Sequence, residues 1–128
     1  MLALLDPHVL LWWSVGDPRL SERSKSFLAD PANRLLWSVA STWEAAIKSS
    51  LGRLSVAEGL DRFVARYLSQ QGIESLPITN AHAIRTAALP HLHADPFDRM
   101  LVAQAQSEGV PLLSGDGQIA RYDVEVIW

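Results

Sequence analysis

A chain of 128 residues and 14.1 kDa has room for one hydrophobic core but not two, so residues 1–128 are expected to form a single domain. Its 48% hydrophobic content excludes a disordered chain, and the absence of cysteine excludes disulfides and thiolate metal sites while fitting a reducing cytoplasm. With 11 basic and 14 acidic residues the net charge is -3, which excludes binding to nucleic acid through bulk charge; a polyanion needs a locally compensated site, and a metal ion is one compensator.

LALL (2–5) predicts a first strand, and Asp6 interrupts the apolar run too early for a signal peptide. PHVLLWWSV predicts a helix with Pro7 in its first turn, and its HVLLWW run is far short of the ~18 apolar residues of a membrane span. We therefore expect no membrane anchor and a cytoplasmic protein. DPRL reads as a turn, Ser21 caps a short helix to about Ala29, and RLLWSVA (34–40) predicts a second strand. Ser41 opens a helix to Leu51 that stops at Gly52, and a long amphipathic helix is expected over 56–71. IESLPI (73–78) predicts a third strand, followed by a helix capped by Asn80 and another from Pro96 to about Glu108. VPLLS (110–114) and VEVIW (124–128) complete the set.

Strands alternating with helices imply an α/β sandwich around a mainly parallel five-stranded sheet. Ligands of such sheets bind beyond the carboxyl ends of the strands. Nine of the 14 acids fall in turns or on polar helix faces. Five do not. Asp6 directly follows the first strand, Asp116 lies two residues past the fourth, Glu44 begins the helix leaving the second, and Asp95 and Asp98 open the helix feeding the fourth.

Each has a local explanation. STWE (41–44) fits a capping box, DPFD (95–98) is its aspartate analogue, and Asp116 between two glycines suits a turn. The alternative is convergence. Four carboxylates near ~5 Å spacing would repel by roughly 3 kcal/mol per pair at an effective dielectric of ~20. Such a cluster protonates or binds a cation, and oxygen-only ligands favour Mg²⁺ or Mn²⁺ over zinc. Phosphoryl chemistry is the usual work of such a site.

Taken together, LLDPHVLLWW, SVASTWEAAIKSSLGRL, LPITNAHA, DPFDRMLVAQA, LLSGD and the terminal VIW resemble PIN-domain proteins, specifically VapC-type ribonuclease toxins of toxin–antitoxin pairs. The resemblance implies a three-layer α/β/α fold and Mg²⁺-dependent endonucleolytic cleavage of RNA. It maps the family's acidic quartet onto Asp6, Glu44, Asp98 and Asp116, with Asp6, Asp98 and Asp116 holding the metal and Glu44 orienting or deprotonating the attacking water. Ser114 matches a family hydroxyl placed to bond a phosphate or a water, and Asp95 is left as cap and outer-shell group. The partners it implies are RNA, a cognate VapB-type antitoxin in an apolar groove, and a second copy in a homodimer. Pro7 departs from the family, which commonly carries Thr or Ser there; it is the one feature favouring a weakened domain that binds RNA or protein without cutting.

Lys48, four residues after Glu44, either forms a solvated pair or fixes that carboxylate, and Arg99 and Arg53 are candidates for phosphate contacts. His91 and His93 echo an H-x-H-x-D zinc motif that lacks its further ligands here, and His8 lies close enough to Asp6 to touch the site. Trp12, Trp13 and Trp43 could stack on bases. A receiver-type phosphoacceptor domain would need an acidic doublet after the first strand and a late lysine, which LLDPH and LLSGDG do not offer.

Overall fold

Ala3, Leu4 and Leu5 are completely buried in the computed structural model, which describes residues 1–128. Successive residues of a strand point to opposite faces, so β1 (Leu2–Leu5) has to be covered on both sides. Leu4 joins Leu36 and Leu112 in one cluster, closed by Leu101 and Val102; Leu5 joins Trp37 and Leu113 in another, closed by Val9, Leu10 and Phe63. The first cluster is roofed by α6 (Pro96–Glu108), against which α5 (Asn80–Thr86) packs, and the second by α1 (Pro7–Val15) and α4 (Leu60–Ala65). The result is three layers, α/β/α.

Four further strands flank the first: β2 (Arg34–Ser38), β3 (Glu74–Leu76), β4 (Leu112–Leu113) and β5 (Val126–Ile127). Their order is β3-β2-β1-β4-β5, and every pairing is parallel. The chain builds outward through β2 and β3, then crosses back to place β4 on the other side of β1. The sheet therefore changes direction between β1 and β4, and a crevice opens there at the carboxyl ends of the strands. No helix is long and apolar enough to cross a membrane.

Three local expectations are corrected. The second strand ends at Ser38, whose side chain accepts from the Ala40 N–H and caps α3 (Val39–Ser50), so Ser41 is not the cap. Val39 and Ala40 prolong the apolar run of the strand, which is why the boundary was hidden. The helix expected over 56–71 begins only at Leu60, because Gly59 adopts a φ of 87°, and its last turn (Arg66–Gln70) widens to a π-helix. Thr79, not Asn80, caps α5: its hydroxyl accepts from the His82 N–H while His82 Nδ1 accepts from the Thr79 N–H. The remaining helix, α2 (Glu22–Ala29), is capped by Ser21 as expected.

That histidine belongs to a buried polar chain. Ser38 Oγ donates to Gln104 Oε1 at 2.6 Å, the Gln104 amide lies 3.4 Å from both the Pro77 carbonyl and His82 Nδ1, and His82 Nε2 meets Glu108 at 2.8 Å. The chain ties the start of α3 to α6 through the core. Gln104→Leu fills the same volume but removes the amide, leaving buried partners unsatisfied. We expect a loss of about 1–3 kcal/mol and a melting temperature lower by several degrees; a variant that melts with the wild type in a thermal scan would show the chain to be idle.

Candidate active site

Asp6 ends β1 and is the N-cap of α1, its Oδ1 accepting from the His8 N–H at 2.9 Å. Pro7 takes the first helical position, where the missing N–H costs nothing. Across the crevice, Ser114 Oγ donates to Asp6 Oδ2 at 2.7 Å and accepts from the Asp116 N–H at 3.1 Å. One hydroxyl thus links the two acids over the switch point between β1 and β4. Ser114 is buried and its hydroxyl is spent on these acids, so it positions them rather than reaching a phosphate. Asp116 also holds its own turn, Oδ1 accepting from the Gln118 N–H at 2.8 Å. Gly115 is required between them because a Cβ there would come within 2.6 Å of the Trp128 ring.

Glu44 is not a capping residue. With α3 beginning at Val39, it sits in the second turn on the buried face with Ala40, Ser41 and Ala45. Lys48 Nζ lies 3.8 Å from Glu44 Oε2, an ion pair at the rim rather than a clamp. Asp95 does cap α6, its Oδ1 accepting from the Phe97 and Asp98 N–H groups at 2.9 and 3.2 Å. That frees Asp98, in the first turn, for other work. Because α6 runs back towards the start of β4, its N-terminus lies at the same sheet edge as Asp6.

The electrostatics show that these acids sense one another. Burial pushes the Glu44 carboxyl up; Lys48 opposes the shift, while the charges of Asp95 and Asp6 add to it. Burial also raises Asp98, to about 6, against the hydrogen bond from His93 and with the like charges of Asp95, Asp116 and Asp6. Asp6 is buried more deeply still, yet hydrogen bonds from His8 and Ser114 outweigh desolvation and hold it below the usual range. The same contact with Asp6 raises His8.

The donor set is therefore oxygen-only, strongly anionic and short of positive charge, which fits a hard divalent cation. No three His, Asp or Glu side chains converge closely enough to chelate an ion directly. Mg²⁺ commonly keeps several of its waters, so it does not require three side chains on the ion itself.

One expected contact is not available. Arg99 donates to the carbonyls of Pro90, Thr86 and Leu89 and to the Tyr122 hydroxyl, so it is not free for phosphate. His91 joins no site, and His93 serves Asp98 rather than zinc, its Nε2 lying 3.1 Å from Asp98 Oδ2. His8 does reach the site, with Nδ1 3.0 Å from Asp6 Oδ1. Beside the acids runs a groove of about 780 Å³ lined by Pro7, Leu11, Trp12 and Val15, with Glu44, Lys48 and Arg53 among its polar groups. Trp12 carries Arg19 on its face at 4.7 Å; Trp43, 59% exposed, packs edge-on against Phe97.

The PIN domain family model matches residues 3–125, and Ribonuclease VapC22 of Mycobacterium tuberculosis is 30% identical over 122 residues, covering 93% of this chain and 90% of that one. The chain belongs to the PIN-domain family. Its fold is shared by the solved structures of VapBC2 from Rickettsia felis bound to a promoter DNA fragment (TM-score 0.74, 13% identity, 99% and 98% of the two chains) and VapBC-1 from nontypeable Haemophilus influenzae (0.66, 17%, 99% and 97%). FitAcB from Neisseria gonorrhoeae is similar too (0.65, 19%, 100% and 97%). PIN-domain ribonucleases generally depend on a divalent metal.

The raised Asp98 gives a signed pH prediction for the metal-free protein. Its folded value of about 6 exceeds the unfolded value of about 3.9, so the folded state holds the proton more tightly. Ionising Asp98 therefore costs stability, from nothing below about pH 4 to the full penalty above about pH 6. In chelator, Asp98→Asn should gain of the order of 1–2 kcal/mol near neutral pH, after allowing for solvent screening, and nothing near pH 4. Melting curves at both pH values check it; a loss of stability near neutral pH would return Asp98 to a purely local role.

Proposed function

We propose that this chain is the toxin of a toxin–antitoxin pair, an endoribonuclease that uses Mg²⁺ to hydrolyse RNA phosphodiester bonds. What supports this reading is the Ser114 hydroxyl bonded to both Asp6 and Asp116, together with the charges of Asp6 and Asp116 felt at Asp98 and that of Asp6 felt at Glu44, in a PIN-domain chain. Asp6, Asp98 and Asp116 would hold the cation; Mn²⁺ suits the same donors. When bound, the cation offsets charge on the phosphate oxygens and makes a water more acidic.

The chain's own groups divide the work. Asp6, kept ionised by its donors, is the fixed anchor. Glu44, raised by burial, is a better base than Asp6 and takes a proton from the attacking water. Water oxygen adds to phosphorus as the opposite P–O3′ bond breaks, and the leaving O3′ takes a proton from solvent water, giving a 5′-phosphate and a 3′-hydroxyl. Lys48 and Arg53, at the groove rim beside Glu44, meet the phosphate backbone.

The ribonuclease relative and the VapBC assemblies that share the fold bear on its partner as well as its activity. Both support a VapB-type antitoxin as partner. The apolar side of the groove suits a peptide helix, and a basic side chain from it would neutralise the acids as a cation does. A homodimer follows from the same kinship. Pro7, the feature favouring a non-cutting domain, occupies the first helical position, where its missing N–H is no loss to α1.

Total RNA incubated with Mg²⁺ and sequenced at its ends should show discrete cleavage with 5′-phosphates, lost in chelator. Asp6→Ala should lower the rate by at least ~10²-fold. Cleavage that survives Asp6→Ala would sink the assignment. Growth arrest not relieved by co-expressing the neighbouring small reading frame would count against the toxin role.

A further inference from the structure

Arg99, Tyr122, His93 and Asp98 form one continuous hydrogen-bonded chain whose direction is fixed from both ends. A guanidinium only donates, so Arg99 Nη1 gives hydrogens to the Tyr122 oxygen at 3.1 Å and the Pro90 carbonyl at 2.8 Å. Its Nη2 donates to the carbonyls of Thr86 and Leu89 at 3.1 and 3.4 Å. At the other end a carboxylate only accepts, so the hydrogen between His93 and Asp98 sits on His93 Nε2, 3.1 Å from Oδ2. With that hydrogen alone on the ring, Nδ1 is the acceptor and the Tyr122 O–H, 2.7 Å away, donates to it. Every donor in the series points towards Asp98.

We propose that His93 and Tyr122 are positioning residues for the RNA-cleaving reaction, holding Asp98 through Oδ2 so that Oδ1 stays free for the cation. The proposal rests on the nuclease reading above. An aspartate in the first turn of a helix has two free torsions, and burial beside like charges favours turning away from them. A fixed donor on one oxygen opposes that. The ring supplying it cannot swing: both nitrogens are engaged, Tyr122 lies tilted against it at 5.4 Å, and only 13% of the His93 side chain is exposed. Tyr122 is itself buried and held by Arg99, whose other contacts lock the segment between α5 and α6. Arg121 fastens the same segment from the far side, donating to the Leu92 carbonyl at 2.9 Å. Ligand groups are commonly oriented by such outer partners, at roughly 10–100-fold in metal affinity or activity when the partner is lost.

Tyr122→Phe keeps the ring and removes only the hydroxyl. His93→Gln replaces the imidazole with an amide donor that reaches Asp98, and His93→Ala removes the donor. In metal-free wild type, the imidazole nitrogen shifts of His93 should report the Nε2–H tautomer, and Tyr122→Phe should lose that fixed state. Tyr122→Phe should raise by roughly 10-fold the Mg²⁺ concentration giving half-maximal thermal stabilisation, and likewise that for half-maximal cleavage of total RNA. His93→Gln should restore most of what His93→Ala loses. In the His93→Ala background, Tyr122→Phe should have no further effect, since the chain is already cut. An Nδ1–H tautomer, an unchanged Mg²⁺ requirement in Tyr122→Phe, or additive losses in the double variant would each overturn the proposal. If wild type neither takes up Mg²⁺ nor cuts RNA, the nuclease reading fails and takes the proposal with it; if wild type does both and Tyr122→Phe matches it, the proposal alone fails.

Discussion

The Ser114 hydroxyl stands where the sheet changes direction, giving its hydrogen to Asp6 and receiving one from the Asp116 amide. Without it, two acids on neighbouring strands would face each other across a crevice with only repulsion between them. With it, Asp6 is held through its side chain and Asp116 through its backbone amide. The α1 N-terminus adds a second restraint, since Asp6 also caps that helix. Crowding of negative charge is thus bound up with the fold itself, because the same bonds that gather the acids also close β1 against β4.

The acids are not equivalent, and their differences follow from what surrounds them. Asp6 is the most deeply buried, yet it keeps its charge because donors meet both oxygens. Glu44 is also buried, and although Lys48 at 3.8 Å and His8 both favour its charge, burial wins. Asp98 is raised as well, to about 6, by burial and three like charges set against one donor. Pairs of carboxyls pushed apart in acidity by their settings are the usual way one site supplies both a permanent charge and a proton acceptor. On the proposed reading, Asp6 is the first and Glu44 the second.

Much of this was legible in the sequence. The four acids stand out because they follow strand ends or open helices, and parallel α/β topology sends those places to one edge. The Ser21, Asp95 and Pro96 signals at helix starts mean what they suggest. Ser41 misled because Val39 and Ala40 extend the apolar run of the strand, so the true cap, Ser38, looks like a strand residue. Once α3 starts there, the capping-box explanation of Glu44 disappears. Arg99 looked like a phosphate ligand because a basic residue beside an acid reads that way. Its true partners, the Tyr122 hydroxyl and three backbone carbonyls, carry no signature in one dimension. His93 had a faint signal, a histidine five residues before Asp98, but it resembled a metal motif more than a hydrogen-bond donor.

The polar thread from Ser38 through Gln104 and His82 to Glu108 has a bearing on how such proteins diverge. Ser38 begins the helix that carries Glu44, and Gln104 belongs to the helix that carries Asp98. The separation between those two carboxyls is therefore gauged from the interior, by groups that never meet solvent at the crevice. Drift at Thr79, His82 or Glu108, on the far flank of the molecule, would reset that gauge and retune the acid edge without altering a single acid.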